Sequence, residues 1–217
     1  MKNLIKGVIY DMDGLIINSE PLWKIAIIES FKEIGFDFTF EMCTQTTGMR
    51  IDEVVNFWWN KLKWQNFTQK EVISSIEKKM IYLIKYNGEL LPGVLDSLKL
   101  LNKAQITIAL ASSSSMTLIN TTLDSLKIRK YFQFIHSAEK EIAGKPNPAV
   151  FLSTAKSMKI FPKNCLVLED SKAGMLAGLN AKMRTIVIPE QNSNSDWAKY
   201  SFKTLKSLKE FQLNLLN

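Results

Sequence analysis

Four short runs rich in β-branched and apolar residues punctuate the chain, and each stops abruptly at a polar or turn-forming cluster. Residues 4–10 end at Asp11-Met12-Asp13-Gly14, 106–111 at Ser112, 165–168 at Glu169-Asp170, and 185–188 at Pro189. Strands buried on both faces read this way, because neither face needs polar residues until the chain leaves the sheet. Helical periodicity fills the intervals, as in Val94, Leu98 and Leu101, and again in Val150, Phe151, Ala155 and Met158. Strand and helix in alternation predict an α/β fold, a doubly wound parallel sheet with helices on both faces.

The stretch 18–91 breaks that alternation. It shows helical patterns without a buried strand between them and reads as an inserted all-helical cap. The expected organisation is a Rossmann-like core at 1–17 and 92–217 with the cap at 18–91. Ser19, followed by Glu20-Pro21, is placed to cap a helix carrying Leu22, Ile25 and Ala26, since proline is tolerated in the first turn. Thr68 with Glu71 matches a capping box ahead of Val72, Ile76, Met80 and Leu83. Leu91-Pro92-Gly93 ends the insertion. Residues 190–196, rich in Asn and Ser, read as a loop, and a final strand or turn with a short helix around Leu205, Leu208 and Phe211 closes the sheet.

With 217 residues, 46% of them hydrophobic and 23% charged, the chain can bury a substantial core. No run approaches the roughly 18 apolar residues of a membrane span. The apolar start is also too short for a secretory signal core. A cytoplasmic protein without a membrane partner is expected. Cys43 and Cys165 stand far apart in different contexts, which argues for two buried thiols over a disulfide or a zinc site. The net charge of +7 comes from lysines such as Lys78, Lys79, Lys203 and Lys206, which are spread rather than clustered. Nucleic acid is therefore not an expected partner, whereas a weak positive field suits phosphorylated metabolites. A monomer is expected.

Ligands of open parallel sheets bind at the carboxyl ends of strands, so the polar clusters at those ends belong together. They are Asp11 and Asp13, the serines Ser112, Ser113, Ser114 and Ser115, Lys145, and Glu169 with Asp170. Taken singly, each reads as an ordinary turn, polar loop, surface lysine or helix cap. Taken jointly, at the ends of strand-like runs, they describe a site. Several carboxylates converging in a low-dielectric setting repel one another unless a cation intervenes. An all-oxygen donor set in a chain whose single histidine is His136 suits Mg²⁺ better than zinc. Phosphoryl transfer asks mainly for positioning and charge neutralisation, and an aspartate can be the accepting nucleophile. Asp11 fits that role, Asp13 the proton donor to the leaving oxygen and later the base for water. The serines and Lys145 fit the phosphate contacts.

At these residues the chain resembles the haloacid-dehalogenase-like hydrolase superfamily, over nearly its whole length. Asp11-Met12-Asp13-Gly14 is similar to the family's first motif, Ser112 to its second, Lys145 in Gly144-Lys145-Pro146 to its third, and Glu169-Asp170 to its fourth. The resemblance implies a magnesium-dependent phosphatase acting through an aspartyl-phosphate. Asp11, the Asp13 carbonyl and Asp170 would ligate the metal, with Glu169 in or near that shell. The insertion is similar to the helical cap of the beta-phosphoglucomutase-like subgroup. Asn18-Ser19-Glu20-Pro21-Leu22-Trp23, Thr47-Gly48-Met49-Arg50-Ile51-Asp52 and Ser137-Ala138-Glu139-Lys140 look most like 2-deoxyglucose-6-phosphate and hexitol-phosphate phosphatases. The implied substrate is a small sugar or polyol phosphate, contacted from the cap by Trp23 and Arg50. A sugar phosphomutase is the rival enzyme, although Trp23 stands where the mutase carries a cap histidine. A phosphoaspartate switch domain is the non-enzymatic rival, disfavoured by the long cap and by Asp13.

Two further expectations concern residues outside that set. Trp58, Trp59 and Trp64 read as the core of the small helical unit in preference to a sugar-stacking face. His136, after Phe134-Ile135 near a strand end, reads as structural, and Gly174 and Gly178 as permitting close helix packing.

Overall fold

The protein is described by a computed structural model covering residues 4–190 and 195–217. Of the loop expected at 190–196, residues 191–194 lie outside the described residues. Six strands form one parallel sheet: β1 Gly7–Tyr10, β2 Thr107–Ser112, β3 Phe134–Ser137, β4 Cys165–Glu169, β5 Arg184–Val187 and β6 Lys203–Thr204. Their order is β3-β2-β1-β4-β5-β6, so the chain winds outward from β1 on one side, then returns to β1's other edge with β4. That reversal makes the carboxyl ends of β1 and β4 the switch point at which an open α/β sheet offers a crevice.

Crossover helices cover both faces. α5 (Val94–Lys103) precedes β2, α6 (Met116–Ser125) joins β2 to β3, α7 (Ala149–Met158) joins β3 to β4, and α8 (Lys172–Asn180) joins β4 to β5. Successive strand residues point to opposite faces. Val8, Tyr10, Ile108, Leu110, Leu166 and Leu168 pack with Leu98, Leu101 and Leu118 on one side. Ile9, Ala109, Ala111 and Val167 pack with Val150, Phe151 and Ala155 on the other. The continuous apolar runs thus follow from burial on both faces. Each large side chain so buried contributes about 1.5–3 kcal/mol relative to exposure.

Four further helices lie between β1 and α5: α1 (Glu20–Glu33), α2 (Phe40–Thr44), α3 (Ile51–Leu62) and α4 (Gln69–Asn87). Aromatic rings fill their interior. Phe31 stacks on Phe38 with centroids 3.9 Å apart and meets the edge of Trp64 at 5.5 Å, while Phe38 meets Trp58 at 4.8 Å. The entering and leaving chains run side by side, since Asn18 N donates to Glu89 O and Leu91 N to Ile16 O.

Local signals and structure agree at Thr68, whose hydroxyl and Glu71 form the reciprocal capping box. Ser19 differs. It occupies the N-cap position of α1, but its side chain makes no cap bond and donates to Asp13 instead. β3 was not among the four apolar runs, because as an edge strand it is only half-buried along its length. The expected closing helix is reduced to a 3₁₀ turn at Leu208–Glu210, after the two-residue β6. Among the described residues, no helix is long and apolar enough to cross a membrane.

Candidate active site

β1 delivers Asp11 to the middle of the sheet edge. Tyr10 pairs in register with Leu110 of β2 and Leu168 of β4, and Asp11 N donates to Leu168 O at 3.0 Å. Asp11 is therefore flanked by the ends of β2 and β4, where Ser112 and Glu169 sit. The turn that follows is tied by Ile16 N and Ile17 N donating to Met12 O. Gly14 adopts φ +76°, and a Cβ there would lie 2.1 Å from Asp170 Oδ2. Glycine at this position is what lets the Asp170 carboxylate approach β1.

Lys145 closes the arrangement from below. Its buried ammonium donates to Asp11 Oδ1 and, at 2.5 Å, to Glu169 Oε1. The other Glu169 oxygen accepts from Asp170 N, Ser171 N and Ser171 Oγ, each at 3.0 Å. Both Glu169 oxygens are engaged in holding the lysine and the loop that carries Asp170. A Cβ on Gly174 would come within 1.8 Å of Glu169 Oε1, so this glycine makes room for a carboxylate, beyond the helix packing expected of it. At Gly178 the close neighbour is Thr185 Oγ1, 2.4 Å from an added Cβ, in keeping with close helix-to-strand packing.

Asp13 is held by four hydroxyl or indole donors. Oδ1 accepts from Ser19 Oγ at 2.7 Å and Trp23 Nε1 at 3.0 Å, and Oδ2 from Ser114 Oγ at 2.7 Å and Ser112 Oγ at 3.3 Å. Ser115 caps α6 through its bond from Leu118 N. Ser113 Oγ is buried without a hydrogen-bond partner in this structure and lines the cavity beside Asp11. A buried hydroxyl left in that condition is ready for an incoming acceptor.

Burial drives the electrostatics. Desolvation, with Glu169 and Asp13 nearby, pushes the Asp11 carboxyl up to about 8 in spite of Lys145. Burial and the charges of Glu169 and Asp11 raise Asp170 well above the usual carboxylate range. For Lys145 burial disfavours the charged form, yet Asp11 and Glu169 outweigh it and raise its pKa. Ligand atoms of Asp11, Glu169 and Asp170 lie within 4.8 Å of one another. Fully ionised, these three carboxylates would outnumber the one ammonium by two negative charges, the charge of one divalent cation, and without such an ion Asp11 and Asp170 tend to hold protons instead. The all-oxygen donor set fits a hard ion such as Mg²⁺, which takes few protein carboxylates and keeps positions for water and phosphate. Asp11 and Asp170 have oxygens available for it, whereas those of Glu169 are already hydrogen-bonded.

Above these groups opens a cavity walled on the far side by the helical unit. Trp23 lines it, together with Glu20 and Lys24. These three are spaced i, i+3 and i+4 on α1 and so share one face. Only Trp23 was singled out by the sequence, although that spacing could have found the other two. Cys43, Thr46, Thr47 and Met49 line the cavity as well. Arg50 is not among the lining residues. Its Nη1 donates to Ala138 O at 3.0 Å and Glu141 O at 2.9 Å, and its remaining nitrogens pair with Asp52. Trp58, Trp59 and Trp64 are absent from the lining too, as core residues of the helical unit should be. His136 bonds Ser157 Oγ at 3.0 Å away from the cavity.

A parallel sheet whose switch point presents aspartates, serines and a buried lysine defines a phosphoryl-transfer class of hydrolase. Residues 8–188 match the haloacid dehalogenase-like hydrolase family, and the chain belongs to it. It is 35% identical over 193 residues to hexitol phosphatase B of Escherichia coli K12, covering 88% of this chain and 87% of that protein. The fold superimposes on CbbY from Rhodobacter sphaeroides, crystallised with phosphate, with TM-score 0.87 at 21% identity, over 95% of this chain and 96% of that one. It also superimposes on beta-phosphoglucomutase from Clostridium difficile, with TM-score 0.84 at 25% identity, over 98% and 96% of the two chains.

Proposed function

We propose that this enzyme, a phosphoric monoester hydrolase, removes phosphate from small hexose or hexitol phosphates through an aspartyl-phosphate on Asp11, with Mg²⁺ as cofactor. One observation carries the reading: Lys145 is clamped between Asp11 and Glu169 at the floor of a cavity that also receives Asp13, Ser113 and Asp170. The substrate class follows from the likeness to hexitol phosphatase B.

Asp11 attacks phosphorus in line while Lys145 and Ser113 Oγ hold the equatorial oxygens. The ester oxygen leaves with a proton from Asp13, whose carboxylate is steered by Trp23, Ser19, Ser112 and Ser114. Asp13 then takes a proton from the water that attacks the aspartyl-phosphate, and inorganic phosphate departs. When bound, Mg²⁺ screens Asp11 from the phosphate dianion and neutralises developing charge; Asp11, Asp170 and the Asp13 carbonyl would hold it. The helices at 18–91 act as a cap that excludes water from the reacting centre.

Sugar phosphomutation is the second reading, favoured by the likeness to beta-phosphoglucomutase. Trp23 weighs against it, since an indole has a donor N–H and no basic nitrogen with which to relay protons. Phosphate release with Mg²⁺ across a panel of hexitol and hexose phosphates tests the proposal. Multiple turnovers of free phosphate support it. Isomerised sugar phosphate without phosphate release would assign the chain to the mutases.

A further inference from the structure

Residues 141–148, which carry Lys145, form neither helix nor strand. The loop has little scaffolding of its own beyond Asn147 N donating to Gly144 O at 3.0 Å, and Ile142 on it is 90% exposed. On the far side of Lys145 it is tied to the core, where Asn180 Nδ2 of α8 donates to Pro146 O at 3.2 Å and Asn147 Oδ1 accepts from Ala149 N at 3.0 Å. On the near side its fixed point comes from the N-terminus of α3, across the boundary between cap and core. Glu53 Oε1 accepts from Gly144 N at 3.1 Å, and Glu53 Oε2 accepts from Arg50 N at 3.2 Å. Arg50 in turn grips the carbonyls of Ala138 and Glu141, at 3.0 and 2.9 Å, with its guanidinium held in plane by Asp52. A Cβ on Gly144 would lie 2.7 Å from Glu53 Oε2 and 3.1 Å from Arg50 Cγ, so the two bodies touch where the glycine stands.

We propose that Glu53 is a positioning residue for Lys145, coupling the seating of the cap to the placement of the ammonium that grips the transferred phosphoryl group. The proposal rests on the phosphatase reading given above. Gly144 is the residue immediately before Lys145, so a carboxylate fixing the Gly144 amide limits where the lysine backbone can sit. Lifting α3 from the core would break the Glu53 and Arg50 contacts together and free the Gly144 side of the loop, leaving only the Pro146 and Asn147 contacts. Lys145 would then no longer be delivered between Asp11 and Glu169. Misplacement of a catalytic group by about 1 Å can lower a rate on the order of a hundredfold.

Glu53 also stands at N3 of α3, where its carboxylate meets the N-cap backbone, so a loss of helix stability must be separated from a loss of positioning. Three variants do this. Glu53→Ala removes the acceptor, Glu53→Gln keeps an oxygen for the Gly144 amide, and Glu71→Ala removes a capping box of the same kind in α4 without touching the loop. Turnover of a hexitol phosphate is measured alongside hydrogen exchange of the Gly144 amide in the full chain. Expected are a kcat lower by about ten- to a hundredfold and faster Gly144 exchange in Glu53→Ala. Glu53→Gln should retain most activity, and Glu71→Ala should match wild type in both readouts. Equal losses in Glu53→Ala and Glu71→Ala, or an unchanged Gly144 exchange rate, would overturn the proposal. The exchange measurement needs no turnover, so a wild-type protein that releases no phosphate would count against the phosphatase reading alone.

Discussion

Trp23 Nε1, on α1, donates to Asp13 Oδ1 at 3.0 Å, and Ser114 Oγ donates to the other carboxylate oxygen, Asp13 Oδ2, at 2.7 Å. One carboxylate oxygen is thus served by α1 and its N-cap residue Ser19, the other by Ser112 and Ser114 at the end of β2. The aspartate two residues beyond the proposed nucleophile takes its orientation from both sets at once. Because the indole only donates, it fixes the carboxylate without competing for the proton that Asp13 must deliver.

Trp23→Phe should therefore slow the step that needs a proton at the leaving oxygen. A hydrogen bond to a charged group contributes about 1.5–3 kcal/mol, and each 1.36 kcal/mol is tenfold in rate. A fall in kcat of about ten- to a hundredfold is expected for a hexitol phosphate, whose alkoxide is a poor leaving group. For a nitrophenyl ester, which leaves without help, the fall should be much smaller. Comparing the two kcat ratios checks this, and equal losses would assign Trp23 to cap packing alone.

Asp11→Asn should abolish turnover, by about a thousandfold or more, because an amide neither attacks phosphorus nor carries the charge the cation requires. The carboxamide is close in shape to the carboxyl it replaces, so far-ultraviolet circular dichroism and cooperative melting should be retained. Retained turnover would end the nucleophile assignment.

Much of the core was legible because its strands are buried on both faces, which leaves a nearly continuous apolar signature at residues 106–111 and 165–168. β3 escaped that logic, since an edge strand such as Phe134–Ser137 is only half-buried and its apolar run is short. Thr68 and Glu71 were readable because a capping box is local. Ser19 was not, because a tertiary partner, Asp13, outcompetes the helix end for its hydroxyl. Arg50 shows the same limit over a longer range. Its spacing from Gly48 is local, but its partners Ala138 and Glu141 lie 88 and 91 residues further along and meet it only in the folded chain. Glu169 carried a visible motif, yet its engagement with Lys145, Asp170 and Ser171 depends on where β4 stops.

Magnesium and pH should act on stability through the same carboxyls. With no cation bound, Asp11 titrates at about 8 in the folded chain against an ordinary 3.8, so between those values the folded state holds a proton that the unfolded state has lost. Stability from this group is complete below the lower value and declines as pH rises through the window. A Mg²⁺ ion held at Asp11 would displace that proton and so would bind more tightly as pH rises. Thermal unfolding with chelator and with Mg²⁺ should show a larger magnesium-dependent rise in Tm at about pH 8 than at about pH 6. A magnesium effect of equal size at both would place the ion away from Asp11.

Gly14→Ala should weaken metal binding without altering any ligand. The residue adopts φ +76°, where a side chain costs on the order of 1–2 kcal/mol, and the added methyl would stand 2.1 Å from Asp170 Oδ2. The carboxylate is the softer of the two neighbours, so it turns away and leaves its place near Asp11. Magnesium affinity, read by calorimetry and by the metal dependence of turnover, should fall by about tenfold or more, while kcat at saturating Mg²⁺ recovers most of the loss. Gly178→Ala supplies the contrast, because its methyl would meet Thr185 Oγ1 at 2.4 Å, in the packing of α8 on β5. That variant should lower Tm and leave magnesium affinity unchanged. If Gly14→Ala lowers Tm and likewise leaves the affinity untouched, the close approach of Asp170 to this turn has a structural role only.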